Sequence, residues 1–84
     1  MILVWSRQAW ADYQHWERAD LRVRDKINAL IEDAQRHPFT GLGKPEPLKD
    51  QLAGIWSRRI TREHRLVYRM QGNELQILQC RYHY

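Results

Sequence analysis

The chain has 84 residues, a net charge of +4 and one cysteine. A chain this short holds one small core and no separate cofactor-binding domain, so residues 1–84 are expected to form a single domain with its active surface on its one sheet or helix layer. The lone Cys80 excludes an internal disulfide, residues 1–5 are too short an apolar run for a membrane span or signal peptide, and four scattered histidines give no metal-ligand spacing.

A cytoplasmic protein without metal or cofactor is therefore the expectation, with Cys80 serving as a small buried hydrophobe. Residues 1–5 (Met-Ile-Leu-Val-Trp) predict a short strand, apolar on both faces and so covered on both. Ser6 suits an N-cap, and Trp10, Tyr13 and Trp16 recur at helical spacing over residues 7–18 as an inward stripe. Asp20 caps a second predicted helix reaching His37, with Val23, Ile27, Leu30, Ile31 and Ala34 on its apolar face. Pro38 stops it.

Residues 40–49 carry two glycines and two prolines and predict a loop. Pro45 and Pro47 flank Glu46 and hold its carboxylate on stiff, extended backbone. Strands are predicted beyond Gly54. Over residues 54–60, Trp56, Arg58 and Ile60 alternate with Ile55, Ser57 and Arg59. Over 64–70, Leu66, Tyr68 and Met70 alternate with Arg65, Val67 and Arg69. Gln71, Gly72 and Asn73 make a turn, and the last strand sets Leu78, Cys80 and Tyr82 against Gln79, Arg81 and His83. An α+β fold follows: two N-terminal helices on one face of a small twisted antiparallel sheet, whose other face carries Arg59, Arg65, Arg69, Arg81 and His83.

Charge is unevenly placed along this chain. Residues 1–43 balance six basic groups against six acidic ones, whereas residues 44–84 carry eight against four, and six of those eight are arginine. Arginine grips phosphate bidentately where lysine acts as a point charge, so the basic half suits phosphate or an acidic partner. Metal-free RNA cleavage needs a base for the 2′-hydroxyl, an acid for the leaving 5′-oxygen, and a cation for the charge on the transition state. Glu46 suits the base, His83 the acid and Arg65 the cation. Lys49, Arg59 and Arg81 are candidates for neighbouring phosphates, and Tyr84 for stacking or proton transfer. Each has a plain alternative: His83 as a surface histidine, Arg65 paired with Glu63 or Glu74, and Tyr82 in the core.

The segments Gly43-Lys44-Pro45-Glu46-Pro47-Leu48-Lys49, Trp56-Ser57-Arg58-Arg59-Ile60, Glu63-His64-Arg65-Leu66-Val67-Tyr68 and Cys80-Arg81-Tyr82-His83-Tyr84 closely resemble the YoeB (Txe) toxins. These form a branch of the RelE/ParE superfamily of bacterial type II toxin–antitoxin systems. The likeness covers the whole chain in length and element order and is most specific over residues 43–84. It implies a RelE-like fold and a ribosome-dependent endoribonuclease that cuts messenger RNA in the A site and blocks translation. It also implies Glu46 as base, Arg65 as phosphate-stabilising cation, His83 as acid, a functional Tyr84, and Lys49 and Arg59 in support. A YefM-type antitoxin, operator binding as the complex, contact with ribosomal RNA and a homodimer are implied as well. The chain departs from its relatives at Ile55, often aromatic there, and in the identities of residues 7–36.

Two rival readings keep the same scaffold. A ParE-like toxin that binds gyrase without catalysis has no need of Glu46, Arg65 and a terminal His83-Tyr84. A DNA-binding module would use the basic face on operator phosphates, with affinity indifferent to neutralising His83.

Overall fold

Ser6 opens the first helix by satisfying two backbone groups at once. Its Oγ accepts from the Ala9 N–H at 3.0 Å and donates to the Leu78 carbonyl at 3.0 Å. The cap therefore also ties the helix to the far end of the chain. Helix α1 spans Arg7–Ala19 and helix α2 spans Leu21–Arg36. Asp20 serves both: its N–H donates to the Trp16 carbonyl, and its Oδ1 accepts from the N–H groups of Arg22 and Val23. A single residue thus closes one helix, opens the next and sets the hairpin.

The computed structural model describes residues 1–49 and 54–83. Among these the strands are β1 (Ile2–Trp5), β2 (Glu46–Pro47), β3 (Ile55–Arg59), β4 (Arg65–Gln71) and β5 (Glu74–Gln79). They form one sheet in the order β1-β5-β4-β3-β2. Strands β3 to β5 are antiparallel neighbours, as alternation and short turns predicted, and β2, in a segment expected to be loop, pairs antiparallel with β3. Strand β1 instead runs parallel to β5, so the sheet is mixed. The helical hairpin carries the chain back before β2, and only a parallel pairing lets β1 join β5 from that direction. Strand β1 is also an edge, with Ile2 55% exposed, and is not covered on both faces.

One face of the sheet meets the helices. Val23, Ile27, Leu30, Ile31 and Ala34 of α2 are all buried and join Ala9 and Trp16 of α1 against Leu66, Tyr68, Leu75 and Ile77. Trp10 leaves the expected stripe. It is 46% exposed and stacks on Tyr13 at 5.8 Å, while Trp16 alone is fully in the core. Cys80 is buried as expected, and burial pushes its thiol up to about 12.

The last strand departs from simple alternation. Tyr68 pairs with Ile77, but Val67 pairs with Gln79, so one residue, Leu78, is looped out as a bulge. The bulge puts Ile77 and Cys80 on the core face together and moves Gln79 to the open face. Strand pairing stops at Gln79. Tyr82 then has a φ of 62° and is 58% exposed, not part of the core as alternation suggested.

Arg58 is the largest departure at the residue level. It is fully buried on the helix-facing side of β3, in phase with Trp56 and Ile60. Its five N–H groups each find an acceptor. Nε donates to Tyr68 Oη (3.0 Å), Nη1 to Asp33 Oδ2 (2.6 Å) and the Leu42 carbonyl (3.0 Å), and Nη2 to the carbonyls of His37 (2.5 Å) and Thr40 (2.9 Å). Tyr68 Oη passes its own proton to the Pro38 carbonyl at 2.6 Å. The guanidinium is thus the organising centre of the loop that follows α2. It holds the Asp33 carboxyl below the ordinary carboxylate range, helped by the Leu42 N–H.

Candidate active site

The face of the sheet away from the helices is built by register. Glu46 pairs with Ser57, Ser57 with Val67, and Val67 with Gln79, giving a row across four strands. Side chains of paired residues share a face, and residues two apart on a strand share it too. Arg59 and Arg65, paired with each other, therefore stand beside that row, one step along β3 and β4. On the other side of the row Arg69 is occupied, its Nε and Nη2 donating to Gln76 Oε1 at 2.9 and 2.8 Å.

The loop before β2 fixes where Glu46 falls. The Arg59 N–H donates to the Gly43 carbonyl at 2.7 Å. A Cβ on Gly43 would lie 2.8 Å from Leu30 Cδ2 and 3.0 Å from the Arg59 carbonyl, so glycine alone fits between helix and strand. Lys44 follows with a φ of 53°, unusual for a residue with a side chain. Pro45 then directs Glu46 into its pairing with Ser57. Glu46 is exposed on a two-residue strand, and is not the free loop residue its sequence context predicted.

Arg65 is anchored on one side. Its Nη1 donates to the carbonyls of Thr61 (2.8 Å), His64 (3.0 Å) and Arg62 (3.1 Å). These three bonds orient the planar group and leave its other edge for a ligand. Neither Glu63 nor Glu74 pairs with it among the described residues. Arg59 and Arg65 lie in an open cleft of about 620 Å3, together with Lys26, Lys44 and Arg62.

Residues 80–82 are tied down on both sides. Cys80 is held through its carbonyl by Trp16 Nε1 (2.9 Å) and through its N–H by Asp12 Oδ2 (3.1 Å). Tyr82 is clamped against the start of β4: its N–H donates to His64 Nδ1 at 2.7 Å, and its carbonyl accepts from the Arg65 N–H at 3.1 Å. His83 is exposed, and its carbonyl accepts from Gln79 Nε2 at 2.8 Å, next to the row that begins at Glu46. His83 thus follows the residue whose carbonyl receives the Arg65 N–H, and neither His83 nor Glu46 lines the cleft that holds Arg59 and Arg65. His64 packs edge-on against Trp16 at 4.8 Å, and burial holds its imidazole below the usual histidine range.

Two candidates stand apart from this grouping. Arg81 lies over the Tyr82 ring at 4.7 Å, outside the cleft. Lys49 is exposed just beyond the bond from the Leu48 N–H to the Ile55 carbonyl (2.8 Å), out of phase with Glu46 along the pleat. Tyr84 lies outside the described residues. The sequence reading passed over His64, Lys26 and Lys44. His64 was visible in the Glu63-His64-Arg65 segment, but nothing local signals that it receives Tyr82.

A helical hairpin on a mixed sheet, with Glu46, Arg59 and Arg65 on one face and the following chain clamped at Tyr82, meets a specific family model. The model for YoeB-like toxins of bacterial type II toxin–antitoxin systems matches residues 5–84. The chain belongs to that family. It is 57% identical to Toxin YoeB of Escherichia coli K12 over all of both chains. The YoeB/ParE toxin structure from Agrobacterium tumefaciens superposes with a TM-score of 0.95 at 58% identity, each chain fully covered. Staphylococcus aureus YoeB has been solved as a dimer (TM-score 0.94, 42% identity) and with YefM (TM-score 0.91, 41% identity), each covering all of this chain and 98% of that one. This YoeB-like chain is thus a toxin of a type II system, with the RelE-like α+β fold. None of its helices, among the described residues, is long and apolar enough to cross a membrane.

Proposed function

We propose that this YoeB-like toxin is a ribosome-dependent endoribonuclease that cleaves messenger RNA by general acid–base catalysis. The observation that supports the reading is the register that sets Arg65 on the same face as Glu46, with the Arg65 N–H on the carbonyl of Tyr82, the residue before His83. At roughly 4.8 Å per strand spacing, Glu46 and Gln79 stand about 14 Å apart. A linkage bound over Arg65, between those two strands, would meet a base from one side and an acid from the other, as displacement at phosphorus requires. Glu46 takes the 2′-hydroxyl proton, and the freed oxygen attacks the adjacent phosphorus. The P–O5′ bond breaks, and His83 delivers its proton to the departing oxygen. Arg65, already oriented by three carbonyls, meets the charge that builds on the non-bridging oxygens without reorganising. Arg59 steadies the same phosphate. Lys49, Arg81 and Tyr84 remain assigned to neighbouring phosphates and the flipped or stacked base.

The products are a 2′,3′-cyclic phosphate and a 5′-hydroxyl. Single-turnover cleavage of a message on stalled ribosomes, with 3′-end chemistry determined, tests the reading. A cyclic phosphate supports it, and a 3′-hydroxyl end counts against it.

The partner is a YefM-like antitoxin, on the strength of the S. aureus complex, and the pair acts together on its operator. A homodimer of the toxin is the corresponding proposal from the S. aureus dimer. Purification from cells carrying the adjacent reading frame, followed by mass measurement of the intact assembly, checks both.

A further inference from the structure

The cleft beside Arg59 and Arg65 holds three cations that the proposed reaction does not use. Lys26 comes from α2, Lys44 from the loop before β2, and Arg62 from the turn between β3 and β4. All five charged residues lining the cleft are basic, and among the described residues none of them is in an ion pair. Like charges gathered from three separate elements repel one another, so the arrangement has a cost that a polyanion removes.

The backbone points the same way. Lys44 is held in the left-handed region at φ 53°, a conformation unfavourable for a residue with a side chain. It stays there because Gly43 is wedged between Leu30 and β3. Lys26 lies one turn before Leu30 on the same helix face, so the wedge that places Lys44 also brings in Lys26. At about 620 Å3 the cleft falls within the roughly 300–1,000 Å3 of small-molecule sites and admits a nucleotide rather than a lone oxyanion.

We infer that Lys26, Lys44 and Arg62 form a second phosphodiester subsite, which holds the RNA strand next to the linkage being cut. The inference rests on the ribonuclease reading. The cleft is continuous with Arg59 and Arg65, so an RNA strand whose phosphate reaches those arginines runs on into it. Helix α2 is thereby part of the substrate surface, not only a cover for the core.

The test is binding of the full-length toxin to ribosomes, with and without a message blocked at the scissile nucleotide by a 2′-deoxy sugar, over a range of salt. Lys26→Gln, Arg62→Gln and Lys44→Asn are compared with wild type; asparagine tolerates the left-handed backbone. Each should bind the programmed ribosome about threefold more weakly and flatten the slope of log affinity against log salt by roughly 0.7. Arg36→Gln, an exposed site paired with Glu32, should do neither. Thermal melts confirm that the variants fold. A loss confined to programmed ribosomes supports the subsite, whereas an equal loss without message assigns these cations to ribosomal RNA and overturns it. Unchanged affinity and slope in all three would overturn it, as would a loss seen only for an acidic antitoxin peptide. Wild-type cutting of an all-RNA message, run in parallel, keeps the two failures apart. Cutting with indifferent variants sinks the subsite alone, and no cutting by wild type sinks the ribonuclease reading.

Discussion

His64 controls the geometry of the chain's end through a single lone pair. Its Nδ1 accepts the Tyr82 N–H, so the ring must be neutral with the proton on Nε2. Burial already disfavours the charged form, followed by smaller effects: Glu63 opposes the shift, while Arg81, His15 and His83 add to it. Because the folded state binds this proton less readily than the unfolded chain, the contribution is complete above about pH 6.5. It is lost as pH falls through the lower, folded value. His64→Asn puts an amide oxygen close to where Nδ1 stood, and should keep turnover within about twofold of wild type while removing this acid sensitivity. His64→Ala should lower turnover about fivefold, the equivalent of one hydrogen bond near 1 kcal/mol. Pre-steady-state cleavage from pH 5 to 8 checks both, and equal loss in the two variants would make His64 a packing residue only. At Arg65 a larger effect belongs to the chemistry. Arg65→Ala should cost roughly 10²–10³ in turnover, with ribosome affinity changed far less.

The loop after α2 depends on Arg58 as a unit. Lysine has three donors and no planar fork, so Arg58→Lys leaves at least two of Asp33, Tyr68 and the His37, Thr40 and Leu42 carbonyls unpaired. Each buried carbonyl left without its donor costs about 1–3 kcal/mol. With two such losses, a drop in Tm of about 8 °C or more is expected for a domain this size, on the order of 4–8 °C per kcal/mol. The same pair gives stability an acid limb. Asp33 is depressed by Arg58, so its contribution is present above the ordinary carboxylate range and fades as pH falls through the lower, folded value. Asp33→Asn should flatten that limb in urea melts between pH 2 and 5. These elements also show what sequence can and cannot reveal. Ser6, Asp20 and the α2 face were legible because caps and helical periodicity are local. Arg58 was half legible: alternation placed it with Trp56 and Ile60, yet no local rule says that a loop's carbonyls will satisfy it. The bulge at Leu78 and the parallel docking of β1 were not legible, since pairing between distant strands decides both. Glu46, Arg65 and His83 stand out by residue type and family likeness. That Glu46 and Arg65 share a face follows from register, which the sequence does not spell out, and His83 lies beyond the paired residues.

At the scale of the molecule, the basic excess of residues 44–84 becomes a surface. The helices and their core take one side of the sheet, Arg59, Arg65 and Arg69 stand on the other, and the cleft lined by Lys44, Arg59, Arg62 and Arg65 reaches Lys26 of α2. The segment leading to His83 is joined to the helical layer by Trp16 and Asp12 on Cys80, and by Ser6 on Leu78. An antitoxin that disturbed α1 would therefore reach the candidate site without touching it. Cys80→Val, which removes only the 3.5 Å thiol contact to Ala9, should leave activity and Tm nearly unchanged. The decisive measurement is cleavage of a ribosome-bound message by a chain ending at Tyr82. His83 is exposed and follows the clamped residue, so its removal with Tyr84 should leave circular dichroism and melting intact while abolishing the cut. Undiminished cutting by that shortened, folded chain would contradict the account.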